Sequence, residues 1–333
     1  MKATAHPATT TSVATHMLYS YGAVVVAVGV GVVAPAAATA VLGPVLLLAL
    51  VVLGLAHGAC DQFVVPAYYP VRGKAWWLYL VRFLVSYLAL AAVVVVGWLQ
   101  WPSVAVLFFF LLTIWHWGSA DAPTQPQRPV LWAMHSILRG TLLFVIPAFA
   151  WPTETLHIIN SLLYFTGGQL VPIALFERLA QGAGWCVLLG HLGLWVGYAR
   201  LGNAHRWHVD ALEVLLLTGL FVVLPPLLAL GVYFCFWHSL QHVLRLNPLL
   251  GYTAPANDRR AQGWALLREI GFFVRRSLPV LLISLMALAA LYGLFAARLS
   301  TPDTLVSLAL VVASVVTLPH ALLVSLVMDR RGQ

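Results

Sequence analysis

The sequence predicts an all-α fold, a polytopic integral membrane protein of about ten transmembrane helices, with roughly eight to ten compatible with the pattern. Three observations carry this. The 333 residues are 62% hydrophobic and only 8% charged, with a mean hydropathy of +0.92, whereas soluble globular chains carry about 25% charged residues. Apolar windows of spanning length recur along the whole chain. Lys and Arg then fall overwhelmingly on alternate connections between those windows, as they do when basic loops are retained in the cytoplasm.

A spanning helix needs about 20 mostly apolar residues. Windows of that kind cover residues 17 to 34, 41 to 60, 75 to 97, 102 to 120, 130 to 150, 183 to 200, 209 to 226, 227 to 246, 277 to 297 and 304 to 328. The stretch 154 to 180 is apolar but interrupted by Gly167, Gly168 and Pro172, which suits a re-entrant or interfacial segment better than a full span. Residues 261 to 276 mix apolar and basic positions at helical spacing, as expected of an amphipathic helix on the cytoplasmic surface. The organisation is one membrane-embedded domain over residues 1 to 333, with a flexible cytoplasmic tail at 1 to 16 and a cytoplasmic loop with its interfacial helix at 247 to 276. APAAATA at 34 to 40 resembles a small-residue cleavage site. No internal repeat is visible.

With the N-terminus inside, fourteen of the 18 Lys and Arg are cytoplasmic: Lys2, Arg72, Lys74, Arg128, Arg200, Arg206, Arg245, Arg259, Arg260, Arg268, Arg275, Arg276, Arg330 and Arg331. Arg178 and Arg298 fall outside, and Arg82 and Arg139 lie within spans. Both termini are therefore expected in the cytoplasm. The surplus of basic residues over the 10 Asp and Glu reports on topology and implies no nucleic-acid partner; the bilayer is the expected surrounding. Cys60, Cys186 and Cys235 lie in or beside apolar runs and build neither a disulfide framework nor a paired-cysteine zinc motif.

Metal chemistry must come from the 12 histidines. In this topology the spans bearing His57, His116 and the pair His238 and His242 all descend toward the cytoplasm, and the four imidazoles lie within about 5 to 12 Å of one membrane boundary. Residues four apart on a helix are neighbours, so the pair in FWHSLQH is suited to chelate one ion, and neutral imidazole suits iron, copper, nickel or zinc. HGACDQ and IWHWGSAD each add a histidine followed by an acid, Asp61 or Asp121. Such a carboxylate either fixes the orientation of a ligating imidazole or simply ends its helix at the water interface. His135 and His320 lie at comparable depth, as groups supporting a ligand or as packing residues. Trp115, Trp117, Phe234, Phe236 and Trp237 flank the four histidines, as packing residues or interfacial anchors. Arg139 needs an acidic partner or a path to the interface.

HGACDQ, WHWGSAD, WHSLQH and TLPHALLV (317 to 324), in that order from about residue 50 to 328, resemble the motifs of the Brp/Blh-type β-carotene 15,15′-dioxygenase family. The resemblance implies one mononuclear non-haem Fe(II) held by His57, His116, His238 and His242. It also implies O2 as co-substrate, β-carotene or a related carotenoid as substrate, and two retinal molecules as product. Asp61, Asp121, His135 and His320 would then stand behind the ligands, and Trp115, Trp117, Phe234, Phe236 and Trp237 would line an apolar tunnel for the polyene. A microbial rhodopsin is the natural acceptor of retinal, and a bacterial cell (inner) membrane the expected location. A membrane di-iron hydroxylase or desaturase needs more clustered histidines than the single HxxxH here. A transporter needs acids at the midplane and repeats, and a non-catalytic carotenoid or retinal carrier would share the apolar tunnel without turnover.

Overall fold

The computed structural model describes residues 10–122, 128–253 and 264–329, with side chains from residue 16. Lys2, Arg259, Arg260, Arg330 and Arg331, residues 1 to 9 of the tail and residues 261 to 263 of the amphipathic segment lie outside them. The described chain is helical throughout, in thirteen α-helices joined by π and 3-10 turns: α1 (Thr10–Val33), α2 (Ala38–Ala49), α3 (Val64–Tyr68), α4 (Lys74–Gln100), α5 (Pro102–Asp121), α6 (Pro129–Ala150), α7 (Pro152–Thr166), α8 (Ile173–Arg200), α9 (Ala204–Val223), α10 (Pro226–Val232), α11 (Leu240–Leu249), α12 (Ala265–Phe295) and α13 (Pro302–Leu323). Among the described residues nine helical runs are long and apolar enough to cross a membrane. Large apolar side chains such as Leu47, Leu99 and Leu294 point outward, as lipid-facing positions do. The protein is an all-α polytopic membrane protein.

Proline starts many of these helices. Pro102, Pro129, Pro152, Pro226 and Pro302 each occupy the first turn of their helix, where the missing N–H has no intrahelical partner to lose. Thr301 and Thr304 add a reciprocal cap at the start of α13. The window at 209 to 226 is α9, which is not among the nine apolar runs. It carries Arg206, Asp210 and Glu213, the last two buried, and packs between α1, α6 and α8.

The interrupted stretch at 154 to 180 divides into two parts. Its first part, α7, ends at Gly167, whose φ of 79° is left-handed and free of strain only for glycine. Thr155 donates to the Pro147 carbonyl near the end of α6, His157 meets Asp303 at the start of α13, and the Gln169 amide donates to Ser103 at the start of α5. These three helix ends share one face of the bundle, so the segment leaves and returns on that face without crossing. Residues from Ile173 onward belong to α8, which is longer at its start than the window at 183 to 200.

Amphipathic residues from Ala265 to Arg276 run without a break into the apolar window at 277 to 297, giving a helix of 31 residues. At 1.5 Å per residue this is about 46 Å, longer than a hydrocarbon core of about 30 Å, so its basic end has length to extend past the apolar layer. There the Arg276 guanidinium stands 4.8 Å over the Phe63 ring.

Candidate metal centre

Three helical runs change winding where they carry histidines. Leu50–Leu55 and Tyr233–Ser239 are π-helical, His57–Phe63 is 3-10, and Val324–Asp329 after α13 is again π-helical. A widened or tightened turn rotates the residues after it relative to a continuous α-helix, and such turns recur at functional sites. Here the turns around α2 and α10–α11 set His57, His238 and His242 at one interior point, which His116 reaches from the regular helix α5 and His320 from α13, ahead of its π turn.

Five imidazoles meet there. The His57 ring centre lies 5.8 Å from that of His238, 5.5 Å from His242 and 4.9 Å from His320. That of His116 lies 5.0 Å from His238 and 5.2 Å from His320, and His242 stands 5.1 Å from His320. His238 and His242 share His57 and otherwise diverge: His238 also faces His116, whereas His242 also faces His320. All five are buried.

Their hydrogen bonds leave nitrogens free. His57 Nδ1 donates to the carbonyl of Gly54, so its lone pair resides on Nε2. His320 Nδ1 lies 3.0 and 2.9 Å from the two oxygens of Asp61; a carboxylate only accepts, so Nδ1 carries the proton and Nε2 the lone pair. Among the described residues His320 Nε2, His242 Nε2, His116 Nδ1 and both nitrogens of His238 are buried without a hydrogen-bond partner. An unsatisfied buried polar atom costs about 1–3 kcal/mol. A bound cation would satisfy the lone pairs gathered here, and an all-imidazole donor set suits a divalent transition metal. Asp61, His242 and His320 each bring a donor atom within 4.8 Å of the others.

Of the two acids, Asp61 is hydrogen-bonded to an imidazole. Asp121 instead accepts from Trp237 Nε1 at 3.1 Å and from the Tyr233 hydroxyl at 3.3 Å, and so braces the π turn that carries His238. Tyr233 stacks on His238 with ring centres 6.5 Å apart. Of the flanking aromatics, Phe234 lies 5.7 Å from His57 and Trp117 lies 5.7 Å from His238. Phe236 packs between the two apolar clusters around the site, and Trp237 is fully buried. Trp115 faces outward, edge-on to Trp132. Cys60 is buried and free.

His135 belongs to a second polar cluster. Its Nδ1 is 3.0 Å from the Tyr198 hydroxyl and its Nε2 is 3.3 Å from Asp210 Oδ1. Arg139, completely buried, holds Asp210 at 2.6 Å and Glu213 at 2.9 Å. Trp195 donates to Asp210 and Tyr21 to Glu213, joining α1, α6, α8 and α9. His191 Nδ1 lies 2.9 Å from the Val187 carbonyl one turn back, a bond internal to its own helix.

Sequence reasoning missed the glycines that set these distances. A Cβ on Gly118 would stand 1.8 Å from the Ser136 carbonyl oxygen, and one on Gly140 1.9 Å from that of Ile114. Backbone against backbone at this crossing fixes α5, and with it His116, against α6; small residues close to a histidine and an arginine, Gly118 two after His116 and Gly140 next to Arg139, were the available signal. Between α4 and α5 lies an apolar groove of about 520 Å³, with Val93, Gly97, Val104 and Phe108 on its walls and Leu318, two residues before His320, at its edge.

A helical membrane bundle with a buried, histidine-lined centre is the class these observations define. A family model described as Beta-carotene 15,15′-dioxygenase matches residues 48–328. A probable β-carotene 15,15′-dioxygenase, Blh, of Halobacterium salinarum is 30% identical over 295 residues, 84% of this chain and 82% of that protein. The probable β-carotene 15,15′-dioxygenase Brp of the same organism is 30% identical over 139 residues, 39% of this chain and 36% of the relative. A β-carotene 15,15′-dioxygenase of an uncultured marine bacterium is 31% identical over 196 residues, 59% of this chain and 66% of the relative. No solved structure matches significantly. The chain belongs to the β-carotene 15,15′-dioxygenase family.

Proposed function

We propose that this protein cleaves β-carotene, or a closely related carotenoid, at its central 15,15′ double bond with O2, yielding two molecules of retinal. The carbon–carbon double bond and the O–O bond are broken and two carbonyls form, so no further reductant is needed. The observation that carries the reading is the convergence of buried imidazoles with unpartnered nitrogens inside the stretch that matches the family. His57, His116, His238 and His242 are assigned as ligands of one ferrous ion. Bound there, ferrous iron supplies the electron exchange that lets ground-state O2 react with a closed-shell polyene.

The chain's own residues do the rest. Gly54, through its carbonyl, sets which nitrogen of His57 is presented. Trp117 and Phe234, 6.0 Å apart and both beside His238, offer aromatic faces to a conjugated chain. Apolar packing around them excludes water, which protects a reactive intermediate from side reactions. The groove beside Leu318 is assigned as the route by which a bilayer-dissolved substrate approaches. Retinal released into the bilayer is then available to a retinal-binding membrane protein such as a microbial rhodopsin. We place the protein in a bacterial inner membrane, and the basic-residue pattern supports an orientation with both termini in the cytoplasm.

The test is turnover by purified protein supplied with ferrous iron, β-carotene and 18O-labelled O2, with retinal measured by chromatography and mass spectrometry. Labelled retinal is expected from wild type, and its loss from each of the four His→Ala variants. Purified wild type that binds iron and carotene yet gives no retinal refutes the reading.

A further inference from the structure

His320 stands among the assigned ligands, with its ring 4.9 Å from His57, 5.1 Å from His242 and 5.2 Å from His116. With nitrogens about 2.1 Å from one ion and ring centres roughly 1.1 Å further out, two imidazoles bound at angles between square and tetrahedral have centres about 4.5 to 5.2 Å apart. All three separations made by His320 fall in that interval. Of the three close ring contacts made within the assigned quartet, His116–His238 at 5.0 Å, His57–His242 at 5.5 Å and His57–His238 at 5.8 Å, only the first does.

The tautomer agrees. Asp61 takes the Nδ1 proton on both of its oxygens, which forces the lone pair onto Nε2, and Nε2 is buried with no protein partner. An imidazole held from behind by a carboxylate, with its other nitrogen bare, is the arrangement found behind many metal-bound histidines. Charge points the same way. Neutral imidazoles leave a dication uncompensated in a low-dielectric interior, and Asp61, itself 2% exposed, delivers a negative charge through His320.

We infer that His320 is a fifth ligand of the iron, oriented by Asp61. This rests on the reading above, in which a ferrous ion sits among the other four histidines. Asp61 is thereby a positioning residue.

The experiment uses full-length protein purified in detergent, as wild type, His320→Gln, His320→Gly and His242→Gln. Each is loaded anaerobically with Fe(II), and separately with Co(II), whose visible absorption strengthens as coordination number falls. His320→Gln is expected to lower Fe(II) affinity by at least 100-fold and to change the cobalt spectrum; added imidazole restores both in His320→Gly. Wild-type affinity and an unchanged cobalt spectrum in His320→Gln, with affinity lost in His242→Gln, overturn this inference and leave the proposed function standing. No iron bound by wild type overturns the proposed function, and this inference with it. If His320 variants do not fold, X-ray absorption at the iron of wild type decides: five imidazoles support the assignment and four overturn it.

Discussion

His320 gives its Nδ1 hydrogen to Asp61 across 259 positions of sequence, at 2.9 and 3.0 Å from the two carboxylate oxygens. The same carboxylate accepts from the Tyr87 hydroxyl at 3.4 Å, so α4, α13 and the 3-10 turn after His57 are tied at one buried anion. Tyr87 ends a ladder of aromatic rings, Trp76, Tyr79, Phe83 and Tyr87, at spacings that keep them on one face of α4. The histidine cluster therefore has a back wall held by α4, a helix that contributes no histidine to it.

Replacing Asp61 by Asn removes the charge and part of the acceptor capacity while keeping the volume. Loss of such an outer partner typically costs 10- to 100-fold in metal affinity. Asp61→Asn should weaken Fe(II) binding by about that factor, measured by titration of the purified protein against a competing chelator. Affinity equal to wild type would show that the carboxylate does not act on the metal.

The crossing of α5 and α6 is expected to be intolerant of a single methyl group. Gly118→Ala places Cβ within 1.8 Å of the Ser136 carbonyl oxygen, and backbone cannot be displaced as a flexible side chain can. Forced overpacking costs about 1–3 kcal/mol, occasionally more. Thermal unfolding in detergent should show a lower midpoint for Gly118→Ala and Gly140→Ala. Gly22→Ala, which has open space around it, should show no such loss.

The all-α membrane fold and most of its spans were legible because they depend on local composition and helical period; for Arg139 the sequence left an acid or the interface open, and the structure pairs it with Asp210 and Glu213. What was not legible depends on winding and on distance in sequence. FWHSLQH reads as one chelating face if the helix is regular, yet Tyr233–Ser239 is π-helical and beyond the shared His57 the two histidines turn to different neighbours. His320 sits alone in TLPHALLV, with no second histidine a turn away, and only its approach to Asp61 shows which nitrogen is bare. Asp121 follows His116 by five residues, but its hydrogen bonds go to Tyr233 and Trp237, since a carboxylate more than one turn on no longer lies beside the imidazole. The length of α12 was hidden because Arg268, Arg275 and Arg276 keep its first turns, from Ala265, out of the apolar window that begins at residue 277.

Arg139 should be a stability residue rather than a metal residue. Removing it leaves Asp210 and Glu213 buried without their cation, and breaking a buried pair from one side costs about 3–5 kcal/mol. Arg139→Met is expected to lower the unfolding temperature sharply. Combining it with Asp210→Asn and Glu213→Gln should recover much of the loss, because no uncompensated charge then remains. A single variant as stable as wild type would show that the network contributes nothing to folding.

The groove between α4 and α5 gives the last expectation, for which Gly97 is the useful site. A Cβ there meets no atom within 4 Å, and the position lines the groove, so a large side chain can enter without disturbing helix packing. Gly also weakens a helix interior by about 1 kcal/mol relative to Ala, and Gly97→Phe should therefore fold at least as well as wild type and retain its iron. If β-carotene approaches through this groove, the variant raises KM severalfold, because the ring narrows the path, while kcat at saturating substrate changes little. Gly97→Ala supplies the comparison, adding only a methyl group. Steady-state retinal formation across a range of carotene concentrations measures both parameters, and a KM for Gly97→Phe equal to that of Gly97→Ala would place the substrate's entrance elsewhere on the bundle.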